Sequence, residues 1–372
     1  MLTLLKNLEC YCPEYKGKND ILIAFDRIYR IMPAGKTDDL PVYDRIISCE
    51  GMLAFPGLID QHVHIAGSGG EEGFSSRTGE LEAPAVFSAG ITTVVGLLGT
   101  DGYCRSMESL YAHAGKLESC GLSVYLYSGC YRVPTLSLTG SLVRDMIFIE
   151  KIIGAGEIAI SDHRCSQPGL HEMLRLSSDV HVGALLSGKA GVVHLHIGDG
   201  KDGLGLLKKM LDSSDLPASM FVPTHVNRNA ILFDEAAAYW AGGGNIDLTA
   251  GETAGLPVPE AIRKLCREKN GLSRVTISSD AGGSFPGGGC AEPAALIKDI
   301  ISCIKQEVLP PSAAFRLATE NPARLLNLYP KKGTLREGSD ADILIADRNY
   351  NIKMLFSRGR LVYSSKAEKE NE

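Results

Sequence analysis

Two histidines one residue apart, His62 and His64, close the run that begins Phe55-Pro56-Gly57-Leu58-Ile59. Side chains on a β-strand alternate faces, so residues i and i+2 share one side. Two imidazoles on one face of a strand end can grip a single metal ion. The pattern is short and equally suits a pair of hydrogen-bonded structural histidines. Other donors in the chain weigh between the two. Glu157, Asp162-His163-Arg164, His194-Leu195-His196, Thr224-His225 and Ser278-Ser279-Asp280 all sit in or just past apolar, β-prone runs. Histidines and carboxylates brought together are costly to desolvate unless a cation compensates them. A metal site is therefore expected. His194 and His196 share a face and periodicity does not choose between them; His196 lies nearer the strand's C-terminal end. Three histidines suffice for one zinc ion, whereas more histidines with two carboxylates suggest two ions and a bridging glutamate. His163 is expected behind the ligands, and His113 and His171, in helix-like segments, in solvent.

These side chains need a scaffold that gathers strand ends. Strand-like runs fall at 53–64, 92–98, 123–129, 157–162, 191–197, 221–226, 246–250 and 274–280. Helix-like stretches such as 105–120, 141–153 and 229–241 lie between them, the last stopped by Gly242-Gly243-Gly244. Eight β/α units over about 270 residues fit an α/β fold of the (β/α)8 TIM-barrel type, whose chemistry sits at the C-terminal strand ends. An open doubly wound sheet is the alternative, but no GxGxxG follows the first strand. Both ends of the chain read as short strands with turns, as in Ile21–Ile31 and Asp342–Ala346. This predicts a small β-sandwich domain from residues 1–54 plus 331–372, around a barrel of 55–330.

Composition narrows the class. The 372 residues are 44% hydrophobic and 22% charged, with a net charge of −6. Neither a basic stripe for nucleic acid nor an apolar run of membrane-spanning length is visible. Charge follows the N-terminal Met1–Leu5 too soon for a signal peptide. Ten scattered cysteines, with no CxxC, suit reduced thiols in a cytoplasm. The charged end Lys366–Glu372 reads as a frayed tail.

Longer strings carry a resemblance. Pro56-Gly57-Leu58-Ile59-Asp60-Gln61-His62-Val63-His64 with Ser278-Ser279-Asp280, and Gly338-Ser339-Asp340-Ala341-Asp342-Ile343-Leu344, resemble the amidohydrolase superfamily. Gly69-Gly70-Glu71, Val95-Gly96-Leu97-Leu98-Gly99-Thr100-Asp101, Ile160-Ser161-Asp162-His163-Arg164 and Pro223-Thr224-His225-Val226-Asn227-Arg228-Asn229 resemble its isoaspartyl (β-aspartyl) dipeptidase family. That resemblance implies metal ligands at His62, His64, His196, His225 and Asp280. The family's carboxylated bridging lysine falls at Glu157, a departure. Glutamate has its own carboxylate, so the chain resembles the branch that bridges two zinc ions without a modified lysine. A shorter arm leaves one metal as the fallback.

The implied reaction is hydrolysis of the isoaspartyl bond in dipeptides with a free N-terminus, by zinc-bound hydroxide with Asp280 as base and then acid. The resemblance assigns Glu71 to the substrate ammonium, Arg164 and Arg228 to the leaving residue's carboxylate, and Tyr131 to the oxyanion. Gly69, Thr100 and Ser284 become further substrate contacts. It also implies a homo-oligomer, an octamer. The rivals are a cyclic-amide hydrolase of dihydroorotase or hydantoinase type, an amino-sugar deacetylase, and a non-enzymatic scaffold. The rival enzymes do not need Glu71 together with both arginines, and such scaffolds usually lose metal ligands, whereas here every expected ligand position is filled.

Overall fold

The computed structural model describes residues 1–36, 43–268, 270–285 and 289–365. The predicted tail Lys366–Glu372 lies outside them. Six parallel strands form one sheet in chain order: Leu58–Val63, Ile91–Gly96, Ser123–Ser128, Ile152–Ile160, Val192–Ile197 and Phe221–Thr224. The strands Ile246–Thr249 and Val275–Ser278 form a further parallel pair. That pair adjoins both ends of the six. Val63 bridges Ala281 in parallel, and His64 N donates to the Ala281 carbonyl at 2.8 Å. On the other side the Asn227 side chain donates to Thr249 O at 3.0 Å and accepts from Thr249 N at 2.9 Å. The eight strands thus curl round one interior, in a fold of TIM-barrel type.

Parallel strands covered by helices are buried on both faces, which explains their near-continuous apolar runs. Every residue of Leu58–Val63, Ile91–Gly96, Ile152–Ile160 and Val192–Ile197 is buried. The intervening helices are fixed locally. Asn229 caps Ala230–Ala241 by accepting from Leu232 N at 2.9 Å, and Gly242 follows that helix. Ser106 and Ser109 cap Met107–Ser119 reciprocally.

Two expectations need correction. The predicted strand 53–64 is two strands. Leu53–Pro56 joins the terminal sheet, and Leu58–Val63 begins the barrel after Gly57. Gly57 has no room for a side chain, because a Cβ there would lie 2.4 Å from Thr92 Oγ1. The fourth strand runs Ile152–Ile160, so Glu157 sits within it and not at its start.

The remaining strands form one eight-stranded sheet. They are Leu2–Tyr11, Tyr15–Ala24, Arg27–Pro33, Arg45–Ser48, Leu53–Pro56, Ile343–Ala346, Ile352–Ser357 and Arg360–Ser364. Leu53–Pro56 pairs antiparallel with Ile343–Ala346, joining the two ends of the chain. Leu5, Leu8, Ile21, Ile28, Ile343, Ile345 and Phe356 from this sheet share one core. Beside this core Lys332 is buried between Asp340 (2.9 Å) and Asp342 (2.6 Å). The Asp342 carbonyl accepts from Gly57 N at 2.9 Å, which ties the sheet to the root of the first barrel strand.

Candidate active site

Six side chains from five strands meet at the C-terminal mouth. His62 is the penultimate residue of the first strand and His64 follows its end; both rings point inward, as period-two alternation requires. Asp280 Oδ1 lies 3.2 Å from His62 Nε2 and 3.1 Å from His64 Nε2. Glu157 reaches both sides of the cluster. Its Oε2 is 3.4 Å from His62 Nε2 and 3.7 Å from His64 Nε2. Its Oε1 is 2.7 Å from His196 Nδ1 and 3.1 Å from His225 Nε2. His225 and Asp280 lie just past their strands with φ of 59° and 55°. This left-handed backbone, uncommon for non-glycine residues, clusters at functional sites. Gly282, at φ +81°, brings its backbone against His64, where a Cβ would lie 2.4 Å from the His64 carbonyl.

The donor set suits cations. His62 Nε2, Glu157 Oε2 and Asp280 Oδ1 are buried, converge, and have no hydrogen-bond partner. Buried polar atoms are normally satisfied, and unpaired ones cost free energy. Among the described residues three groups have ligand atoms close enough to share an ion: His62–His64–Asp280, His62–Glu157–His225 and His62–His194–Asp247. Burial alone would raise the Glu157 carboxyl, but His62 and His196 hold it well below the usual range. Burial likewise opposes ionisation of Asp280, and His62 and His64 overcome it. Burial pushes His225 down to about 3, leaving a neutral imidazole suited to ligation.

A second layer orients the rings. His62 Nδ1 lies 3.0 Å from His194 Nε2, so His194 stands behind the cluster and His196 within it. His196 Nε2 lies 2.8 Å from Asp162 Oδ2, and His225 Nδ1 lies 2.8 Å from Thr249 Oγ1. Such partners fix the ring orientation of metal-binding histidines. The place expected for His163 is therefore taken by Asp162, since the His163 side chain is 89% exposed. His113 is buried rather than solvated, with Nε2 2.9 Å from the Leu81 carbonyl. His171 is exposed, as expected. Sequence reasoning missed Thr249. It is a common strand residue, and only its place at the end of the seventh strand marks it.

A cavity of about 900 Å³ opens over this cluster. Glu71, Thr100, Tyr131, Arg164, Arg228 and Ser284 all line it. Glu71 is met from three other loops: Thr100 Oγ1 donates at 2.8 Å, Ser284 Oγ at 3.3 Å and Arg164 Nη1 at 3.5 Å. Partial burial opposes its charge, but its own backbone amide, Thr100 and Arg164 hold it ionised below the ordinary value. Gly69, at φ +78°, packs against Ser76 and Ser284 at the base of this loop. Tyr131 Oη stands 2.8 Å from His196 Nδ1, and burial beside Glu157 keeps the phenol protonated. Asp162 grips Arg164 at 2.8 Å, whereas Arg228 donates to the Ile197 carbonyl at 2.9 Å. The cavity thus offers Glu71 among several carboxylates, two guanidinium groups and a phenol around a set of metal-type donors.

The amidohydrolase family model matches residues 53–362. The chain therefore belongs to the amidohydrolase family. The β-aspartyl dipeptidase of Fervidobacterium islandicum AW-1 is 40% identical over 98% of this chain and 97% of that one, with a TM-score of 0.93. The same enzyme in complex with β-Asp-Leu gives 40% and 0.92. Within the family, this chain's place is with the β-aspartyl dipeptidases. A dihydroorotase of Halalkalibacterium halodurans is 25% identical over 64% of this chain. That match spans 53% of the dihydroorotase's length, so the chain covers about half of that curated relative.

Proposed function

We propose that the chain hydrolyses the isoaspartyl peptide bond of dipeptides with a free N-terminus. One observation carries this reading. Glu71, held by three loops, and Arg228, which pairs with no carboxylate among the described residues, line one cavity above the cluster. A small zwitterionic peptide needs an anion for its ammonium and a cation for its carboxylate. The β-Asp-Leu complex of the relative supports the same substrate class.

His62, His64, Glu157, His196, His225 and Asp280 would hold the metal, read as two zinc ions with Glu157 between them. When bound, zinc supplies Lewis acidity that polarises a carbonyl and brings the pKa of water toward about 7. The chain's own groups do the rest. Asp280 accepts the proton of the attacking water and passes it to the leaving amine. Tyr131 Oη donates to the oxygen that gains charge as water adds to the scissile carbonyl. Glu71, backed by Thr100 and Ser284, receives the ammonium beside Gly69, and Arg164 and Arg228 receive carboxylate. We read 1–56 with 331–372 as a β-sandwich unit and 58–330 as the barrel, the boundary expected at 54 moving because Leu53–Pro56 pairs with Ile343–Ala346. A cytoplasmic homo-oligomer, an octamer on the family resemblance, completes the proposal.

The test is a kinetic panel on the metal-loaded protein. Isoaspartyl-leucine should be cleaved far faster than α-aspartyl-leucine or dihydroorotate. Comparable turnover of dihydroorotate would favour the cyclic-amide reading, which the dihydroorotase likeness supports.

A further inference from the structure

The loop after the first barrel strand has a closed neck. Thr78 N donates to Ser68 O at 2.9 Å, Ser68 N to Thr78 Oγ1 at 2.6 Å, and Leu81 N to Ile65 O at 2.9 Å. Residues 69–77 form its tip and carry Glu71. Gly69, Gly70 and Gly73 there have φ of 78°, 107° and 92°. Glycine buys such turns at the cost of backbone freedom, so the tip needs an external hold.

The neck on which the tip stands is fastened by one side chain ahead of the helix Met107–Ser119. Arg105 Nη1 donates to the Ala66 carbonyl; its Nη2 donates to Ser68 O at 2.9 Å and Thr78 O at 3.0 Å. One planar guanidinium therefore fastens both limbs of the neck, a geometry that lysine's single ammonium does not reproduce. A second tie joins the tip to the neighbouring loop. Arg77 pairs with Asp101, whose Oδ1 also accepts from Tyr103 N (3.1 Å) and Cys104 N (2.8 Å). Asp101 directly follows Thr100, the residue that donates to Glu71. Both ties lie outside the carboxylate's own contacts, and both set where it stands.

We infer that Arg105 is a positioning residue for ammonium recognition, holding Glu71 against Thr100 and so setting selectivity for an unblocked N-terminus. This rests on the reading of Glu71 given above. Misplacing a binding group by an ångström is enough to lose most of its contribution.

The experiment compares isoaspartyl-leucine with its N-acetyl derivative on the full-length, metal-loaded protein. The wild type should prefer the free amine by roughly 10²-fold in kcat/KM, the scale of one charge-assisted contact. Arg105→Met keeps the stem and removes the donors. It should raise KM for the free dipeptide roughly tenfold, leave kcat within about threefold, and bring the preference down with KM. Arg105→Lys should fall between. An unchanged preference in Arg105→Met, or a loss confined to kcat, overturns the inference alone. A wild type that ignores acetylation removes the Glu71 reading, and the inference with it. If Arg105→Met does not fold, Arg105→Lys carries the test, since it keeps the charge but cannot hold both limbs; an unchanged preference there overturns the inference.

Discussion

Replacing Glu157 by glutamine keeps the side chain's shape and removes its charge. The four contacts of the carboxylate divide cleanly: Oε1 faces His196 and His225 at 2.7 and 3.1 Å, and Oε2 faces His62 and His64 at 3.4 and 3.7 Å. An amide can present an oxygen to only one of these pairs. The other pair receives an NH2 group, which cannot ligate a cation. As a floor, the attraction between unit charges about 4 Å apart at an effective dielectric near 20 is roughly 4 kcal/mol, and zinc's double charge at ligand distance only enlarges the loss. At about 1.4 kcal/mol per decade, the ion on the amide side should bind at least about 10³-fold more weakly. The assay strips the protein with a chelator, reloads it with zinc against a chromophoric competitor, and counts metal per chain. Wild type should hold two ions and Glu157→Gln one, with isoaspartyl-leucine hydrolysis falling in parallel. Equal stoichiometry and affinities within about threefold would refute the bridging argument.

Because Glu157 carries its own carboxylate, reloading should proceed equally with and without bicarbonate; a bicarbonate requirement would mean that a lysine is carboxylated after all. Asp280→Ala should lower kcat by roughly 10²–10⁴-fold, the usual weight of a general base, as read by steady-state kinetics. Arg228→Ala should mainly raise KM, and a pure kcat loss would remove it from substrate binding. Asp162→Asn, which disturbs the partner of His196 Nε2, should weaken metal binding roughly 10–100-fold in the same competition assay.

Much of the metal cluster could be read from sequence because its signals are local. His62 and His64 share a face by strand periodicity alone, and each later ligand sits at or near the end of an apolar run. Glu157 is different. It lies mid-strand among buried residues, so a strand-end position does not mark it as it marks the others. Asp162 acts through a turn: Ser161 has φ 52°, and the chain there brings the Asp162 carboxylate to His196. No periodicity encodes such a turn. His113 was legible and was misjudged, since Leu110, Ala114 and Leu117 mark a buried helix face that includes it. The break at Gly57 was hidden because no polar loop separates the two apolar strands. The hold of Arg105 on three carbonyls has no sequence signal, since its partners are main-chain atoms.

The one-residue step at Gly57 also has a consequence for the order in which the protein can assemble. Leu53–Pro56 takes one neighbour from Leu2–Tyr11 and the other from Ile343–Ala346, nearly the whole length of the chain away. His62 and His64 begin only a few residues beyond it. During synthesis, that strand keeps an open edge until the last part of the chain has emerged, and pairing so distant in sequence is slow to close. The ribosome therefore delivers the first two ligands early and the clasp that steadies their strand late.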